Sequence, residues 1–236
     1  MEQLLLNRNV YVCQTEDGAV FMDLGTENYV GIGREEACTL STRIRDWPAF
    51  DDHPASCEVD ANTVVESLRR RGLLTNSHSS GKSPEFLTIQ VTDAIPFRGT
   101  IANPPNVSLR DVLNFLYACT PAALALKLRP LSRTVAAVRA RNGGKSPDRS
   151  SADIARVFDL VRVFRRLTPF VFTAMGACLF DSLALIEFLA RYDVHATWVL
   201  GLRTRPFGAH SWAQYGNLLL NDQLERVEEF TPILEV

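Results

Sequence analysis

Polar and apolar residues alternate over the first third of the chain, in the pattern of short β-strands. Three such segments occupy residues 10–14, 19–23 and 28–32. Glycine and acidic residues separate them, as they do in the tight turns between paired strands. The pattern therefore predicts three short strands in succession.

Helical spacing replaces this alternation after the third strand. A first helix is predicted to begin at Glu35 and to continue until Pro48, which ends it. A second helix is predicted after an N-terminal cap at Asp60, with Val64 and Leu68 on one face. Three strands followed by two helices predict a small winged-helix-like N-terminal module.

The composition changes again near residue 80. Residues 75–85 are polar and rich in Ser, Gly and Pro, which is typical of a linker. From Ser108 onwards apolar residues recur at helical spacing, and Pro121 and Pro130 predict a division into several short helices. We therefore predict an N-terminal domain at residues 1–80, a linker at 81–105 and a second domain at 106–236.

The overall composition favours a globular protein that binds neither nucleic acid nor membranes. Apolar residues make up 46% of the chain, which suffices for a core, and the net charge is −2. The first 85 residues contain 14 acidic and 8 basic residues, which argues against nucleic-acid binding by this part. No apolar run approaches the length of a membrane span.

The cysteines and the start of the chain bear on its compartment. The five cysteines are scattered and form no CxxC pair. The apolar run at residues 4–6 is too short for the central region of a secretory signal. These features predict reduced thiols and a cytoplasmic protein.

A basic segment lies in the middle of the chain. Eight Lys and Arg residues occur from Arg110 to Arg149, against two aspartates. A charged run of this kind is often a solvated face. The alternative is a docking surface for an acidic partner, to which Arg139, Arg141 and Lys145 would contribute.

A cysteine, a histidine and an aspartate follow one another in positions that suit thiol chemistry. Cys178 is predicted to open an amphipathic helix, His210 lies in a predicted strand, and Asp222 ends the next strand. A helix N-terminus lowers the pKa of a thiol because its N–H groups favour negative charge. An imidazole can take the thiol proton, and a carboxylate on its other nitrogen fixes the tautomer. The order predicts a nucleophile, an acid–base group and an orienting group.

Each of these residues alone has a simpler interpretation. A free cysteine such as Cys178 is often a small buried apolar side chain. His210 beside Trp212 is equally typical of a core histidine, and Asp222 after Asn221 is equally typical of a turn. The conjunction of the three favours the catalytic interpretation.

The histidines and cysteines do not predict a metal site. His53 with Cys57, or His195 with Cys178, would supply two ligands each, but no second pair follows at ligand spacing. No metal and no other cofactor is therefore expected.

The hairpin between His210 and Asp222 restricts how the two can meet. Successive strand side chains alternate between faces, so the two residues must share one face. A two-residue loop at 216–217 would pair His210 with Gln223 and place Asp222 on the opposite face. We therefore predict a three-residue loop at 215–217, or an equivalent one-residue bulge nearer Asp222.

Several short motifs of the last third resemble one known family. They are Cys178-Leu179 with Ser182-Leu183-Ala184-Leu185, then Val199-Leu200-Gly201-Leu202-Arg203, Pro206-Phe207, Ala209-His210-Ser211-Trp212 and Leu220-Asn221-Asp222. On these motifs the chain resembles the lasso peptide maturation B proteins, which are leader peptidases of the transglutaminase-like superfamily. Ser211 stands where that family commonly has alanine. The N-terminal third resembles the precursor-recognition element that is fused to this peptidase in some members.

The resemblance implies an α+β fold, in which a transglutaminase-like, papain-like α+β cysteine peptidase domain follows the winged-helix-like module. It implies a peptidase that binds and removes the leader peptide of a ribosomally made lasso peptide precursor before macrocyclisation, with Cys178, His210 and Asp222 as its triad. The freed core would pass to a lasso cyclase of the asparagine-synthetase type. An acyltransferase, in which an amine replaces water, and a non-catalytic precursor carrier remain as alternatives.

The leader peptide is expected to bind the N-terminal module as an added strand. The edge at residues 28–32, beside the predicted helix at 63–71, offers a place for such a strand. Tyr29, Val30 and Leu68 are the expected contacts.

Overall fold

The computed structural model describes residues 4–48, 60–96, 105–143, 151–170 and 178–236. His53, Cys57, Lys145, Arg149 and the end of the predicted linker lie outside the described residues. The chain divides into two compact units. The first combines residues 1–88 with 130–132 and 203–207, and the second comprises 89–129, 133–202 and 208–236.

The first unit contains the predicted succession of strands and helices. Its elements are β1 (Leu5–Asn7), β2 (Val10–Thr15), β3 (Gly18–Asp23), β4 (Asn28–Gly33), α1 (Arg34–Leu40), α2 (Ala61–Arg70), β5 (Leu74–Thr75) and β6 (Gly81–Lys82). β2, β3 and β4 form an antiparallel sheet with β3 in the centre, and β1 lies between β5 and β6 in a second sheet. The three predicted strands and the two predicted helices are confirmed.

Helix α1 is shorter than predicted. It ends at Leu40, because the hydroxyls of Ser41 and Thr42 donate hydrogen bonds to carbonyls of the preceding turn. Such side chains compete with continued helix formation. Ile44 then forms a parallel bridge with Leu4 and is buried. The prediction that α1 continues to Pro48 is therefore wrong.

Helix α2 begins as predicted. The Asp60 carboxylate accepts a hydrogen bond of 3.0 Å from the backbone N–H of Asn62, which satisfies one of the N–H groups left open at a helix start. Val64 and Leu68 face a core that also contains Phe21 and Leu40. Burial of this face is what holds the helix on the sheet.

The second unit combines helices with a five-stranded sheet. Its remaining elements in chain order are β7 (Asp93–Ala94), α3 (Leu109–Leu128), α4 (Leu131–Asn142), α5 (Ser151–Leu167), α6 (Cys178–Ala190), β8 (Thr197–Thr204), β9 (Phe207–Tyr215), β10 (Leu218–Leu219), α7 (Leu224–Val227) and β11 (Thr231–Glu235). The sheet has the order β11-β8-β9-β10-β7, with β7 parallel to β10. The predicted α+β class is confirmed.

The division between the two units falls within the linker predicted at residues 81–105. Both ends of the described part of this segment form short strands. β6 pairs with β1 of the first unit, and β7 pairs with β10 of the second. Residues between them, from 83 to 92, form neither helix nor strand.

Helix α3 is continuous where several short helices were predicted. Pro121 lies within it, and only Pro130 lies beyond its end. A proline inside a helix costs about 3 kcal/mol. Apolar packing offsets this cost, because Phe115 is buried with its ring 5.3 Å from that of Phe164 and 6.5 Å from that of Phe188. Tertiary contacts thus override the local signal.

Helix α6 is buried on nearly all sides. Every residue from Ser182 to Leu189 except Glu187 is buried, so the helix is central and not amphipathic as predicted. A helix that is apolar all round belongs in a core. No helix among the described residues is long and apolar enough to cross a membrane.

Candidate active site

Cys178 is the first described residue of α6, and three groups surround its thiol. The sulfur is hydrogen-bonded to His210, and backbone groups of Ser211 and Leu179 also bond to it. The bond to His210 lowers the pKa of Cys178 below its ordinary value, although burial acts in the opposite direction. The residues that precede Cys178, 171–177, lie outside the described residues.

His210 lies in β9 and is 5% exposed. Its Nε2 atom is hydrogen-bonded to Oδ2 of Asp222, which leaves Nδ1 to face the thiol. The ring packs against Phe230, with 5.0 Å between centroids, and against Trp212, with 6.1 Å. Two ring neighbours and two hydrogen bonds fix the orientation of the imidazole.

The charges around His210 favour its protonated form. Burial alone would lower the pKa of His210, but the hydrogen bonds and negative charges of Asp222 and Cys178 outweigh burial and raise the pKa to about 9. Burial also raises the pKa of Asp222, and the bonds from His210 and from the Gln223 N–H more than reverse that effect. These interactions therefore shift the three groups towards a thiolate, an imidazolium and a carboxylate.

This arrangement can perform nucleophilic and acid–base chemistry on a carbonyl group. A thiolate is the reactive form of cysteine, and an imidazolium beside it can protonate a leaving group. The structure brings together the three residues predicted from sequence, Cys178, His210 and Asp222. Their catalytic role remains a prediction.

We expect iodoacetamide at pH 7 to modify Cys178 and to leave Cys13 and Cys119 intact. Burial raises the pKa of each of these two thiols to about 12, whereas the pKa of Cys178 is lowered. Only a thiolate reacts readily.

The imidazolium is lost as pH rises through about 9, so a reaction that needs the His210 proton should slow above that pH. Peptide masses and a pH–rate profile check the two expectations, and equal labelling of Cys119 would contradict the first.

The hairpin that joins His210 to Asp222 differs from the prediction. Tyr215 pairs with Leu218, so the loop has two residues and not three. Gly216 has φ +62°, a conformation that suits the first central position of a two-residue turn. Asp222 nevertheless reaches His210, because β10 ends at Leu219 and the chain bends over residues 220–222. The prediction treated Asp222 as a strand residue, and that assumption was wrong.

A buried polar cluster links α6 to β8 and β9. The hydroxyl oxygens of Ser182 and Ser211 are 2.5 Å apart, and Trp198 Nε1 donates to Ser182 Oγ over 2.9 Å. Ser182 Oγ in turn donates to the Cys178 carbonyl over 2.7 Å. Nothing in the sequence predicts a role for Ser211, which only differs there from the alanine common in the resembling family. Its hydroxyl helps to hold the residue that carries the thiol.

The residues expected to bind a leader peptide occupy different environments. Tyr29 and Val30 lie in β4, which is an edge strand, and both are partly buried. The Tyr29 ring packs edge to face on Phe207, with 5.4 Å between centroids. Leu68 is 2% exposed and belongs to the core of the first unit.

Two arginines of the basic segment are engaged within the second unit. Arg139 donates a hydrogen bond of 3.3 Å to the carbonyl of Glu235, and Arg141 forms an ion pair with Glu187. These contacts favour a structural role for both side chains over the predicted docking role.

The described residues contain no group of three or more His, Cys, Asp and Glu side chains that could hold a metal ion.

Two comparisons place the chain among known proteins. The sequence profile of the Transglutaminase-like superfamily matches residues 116–235, just over half of the chain. Microcin J25-processing protein McjB of Escherichia coli is 36% identical over 59 residues. That similarity covers 25% of this chain and 28% of the length of McjB. No solved structure matches the chain. The region that contains Cys178, His210 and Asp222 lies within the matched range, and the chain belongs to the transglutaminase-like superfamily.

Proposed function

We propose that this protein is a cysteine peptidase that binds and removes the leader peptide of a ribosomally made lasso peptide precursor before macrocyclisation. The observation that carries the proposal is the continuous set of hydrogen bonds from Cys178 through His210 to Asp222. The superfamily of the chain supports cysteine-based hydrolysis or transfer.

The geometry suggests an order of proton transfers for peptide cleavage. The Cys178 thiolate attacks the scissile carbonyl carbon, and the His210 imidazolium donates its Nδ1 proton to the leaving amine, which departs. The neutral imidazole then takes a proton from water, whose oxygen attacks the thioester carbonyl. The carbon–sulfur bond breaks, which releases the acid and restores the thiolate beside the imidazolium. Asp222 holds Nε2–H throughout. The backbone N–H of Cys178 is the proposed donor to the oxyanion.

The proposed substrate class rests on the similarity of this chain to known proteins. McjB is named as a processing protein for microcin J25, and the chain shares a short segment with it. The motifs of the last third resemble leader peptidases of lasso peptide maturation. A precursor peptide is therefore the proposed substrate, and a lasso cyclase of the asparagine-synthetase type is the proposed recipient of the freed core.

We propose that the leader peptide binds along the outer edge of β4. Within the described residues β4 pairs only with β3, so its outer edge offers backbone groups to an added strand. Tyr29 and Val30 are the proposed side-chain contacts. Leu68 is not a proposed contact, because its side chain is buried in the core of the first unit.

Product masses distinguish the proposal from its two alternatives. Incubation with the precursor encoded beside this chain, in heavy-oxygen water, should yield a leader fragment whose new carboxyl group contains heavy oxygen. An acyltransferase would give a leader joined to an added amine, and a carrier would return the precursor unchanged. EDTA should have no effect, and loss of activity with EDTA would count against the proposal.

A further inference from the structure

The sheet at the end of β10 is completed by a side chain. Beyond the pair Leu219 and Gln214, the N–H of Leu220 donates to the carbonyl of Ala213 over 2.9 Å. In a regular antiparallel pair the N–H of Ala213 would donate back to the carbonyl of Leu220. It donates instead to Oδ1 of Asn221, over 2.8 Å. The Asn221 amide has replaced the backbone in the ladder.

The displaced carbonyl of Leu220 has another partner. Arg165 of α5 donates to it through Nη2 over 2.6 Å, and donates to the carbonyls of Ile95 and Pro96 over 3.2 and 2.8 Å. The guanidinium therefore engages the Leu220 carbonyl, which a regular ladder would pair with the N–H of Ala213. This is the point at which the chain leaves the sheet.

Asp181 fixes the other end of the Asn221 amide. Its Oδ2 accepts a hydrogen bond of 2.8 Å from Asn221 Nδ2. Asp181 lies three residues after Cys178 on α6, close to one turn along the helix. The helix that carries the thiol and the bend that carries Asp222 are thus connected by one side-chain bridge.

The bridge lies at the bend from which Asp222 reaches His210. The two-residue loop sets a register that, if continued as a strand, would pair His210 with Gln223 and put Asp222 on the opposite face. The bend at residues 220–222 removes that conflict, and Asp222 reaches Nε2 of His210. Both hydrogen-bonding ends of Asn221 are engaged at this bend.

We propose that Asp181 and Asn221 are positioning residues, which act together to place the Asp222 carboxylate against His210. Neither touches the thiol or the imidazole in the described contacts. The proposal concerns the geometry of the triad, and its catalytic consequence rests on the proposed function.

The test compares four variants: Asn221→Ala, Asp181→Ala, Asp181→Asn and Glu187→Ala. The first two break the bridge from either end. Asp181→Asn removes the charge but keeps an oxygen that can accept from Asn221 Nδ2, so it separates position from charge. Glu187→Ala is the matched control, because it removes a carboxylate contact from the same helix but far along it from Cys178.

Two readouts are taken from each variant. The pH dependence of Cys178 alkylation, measured on the peptide that contains residue 178, needs no substrate. With Asp222 displaced, the imidazolium loses its partner and stabilises the Cys178 thiolate less. We therefore expect the pH midpoint of Cys178 alkylation to rise by about one pH unit in Asn221→Ala and Asp181→Ala. On the precursor, kcat should fall about 100-fold with KM little changed, as for a small misplacement of a catalytic group.

The remaining variants sharpen the result. Asp181→Asn and Glu187→Ala should keep the wild-type alkylation midpoint, and the double variant Asp181→Ala/Asn221→Ala should be no worse than the single variants. Thermal melts identify a variant that fails to fold. If Asn221→Ala does not fold, Asp181→Ala carries the comparison, and wild-type values of both readouts in that variant would overturn the proposal. A wild-type midpoint and kcat in a folded Asn221→Ala protein would overturn the proposal.

The two proposals fail in different ways. If the wild-type protein does not cleave the precursor but the alkylation midpoint shifts as expected, the positioning role stands and the peptidase function falls. If the wild-type protein cleaves and the bridge variants match it in both readouts, the function stands and the positioning role falls.

Discussion

Replacing Cys178 by alanine should abolish precursor cleavage and leave precursor affinity nearly unchanged. The thiolate is the group that attacks the scissile carbonyl in the proposed mechanism, and loss of a nucleophile that acts with an adjacent base costs about a millionfold in kcat. Affinity should persist because the proposed leader contacts, Tyr29 and Val30, lie in the first unit. Product masses measure cleavage, and isothermal titration calorimetry measures affinity.

The matched control is Cys13→Ala. Cys13 is a free thiol, 1% exposed, whose pKa burial raises to about 12, so it cannot serve as a nucleophile at neutral pH. This variant should cleave at the wild-type rate if it folds. Cleavage by the Cys178→Ala protein at a comparable rate would refute the assignment of the nucleophile.

Replacing Asp222 by asparagine should lower kcat by about 10⁴-fold without unfolding the protein. The Asp222 carboxylate accepts from Nε2–H and leaves Nδ1 free to take the thiol proton. An amide can donate to Nε2, which favours the tautomer with its proton on Nδ1 and blocks that transfer. The raised pKa of His210, about 9 in the wild type, should fall because burial then acts with less opposition.

The matched control for this change is Asp193→Asn. Asp193 is exposed in a turn with φ +58°, a conformation that asparagine also tolerates, so the same chemical change occurs there without a catalytic partner. Its kcat and melting temperature should match the wild type. A high kcat in Asp222→Asn, together with an unchanged pH profile, would remove Asp222 from the triad.

The sequence predicted which three residues the structure brings together better than it predicted how they meet. Cys178, His210 and Asp222 could be selected because residue type, order and predicted element all favour a thiol site. The route by which Asp222 meets His210 could not be predicted from the sequence. It depends on Arg165 and Asp181, which are distant in sequence from the hairpin. The length of a loop depends on nearby residues alone and does not reveal such distant partners.

Two helices illustrate the same limit. The end of α2 is a local matter, since Gly72 adopts φ +72° two residues beyond it, a conformation typical of a glycine at a helix C-terminus. Pro121 is also a local signal, yet α3 continues through it because Phe115 is buried against neighbouring helices. Caps and glycines act within one turn, whereas core packing is decided by the whole unit.

Because α6 is buried, the active-site thiol should keep its place for as long as the second unit stays folded. Residues such as Leu183, Leu185 and Leu189 are at most 1% exposed, so the helix that carries Cys178 cannot separate from its surroundings without exposing the core. Segments of this kind open only at a free energy close to that of global unfolding. Thermal inactivation should therefore coincide with cooperative unfolding of this unit, with no earlier phase in which a folded protein has lost its nucleophile.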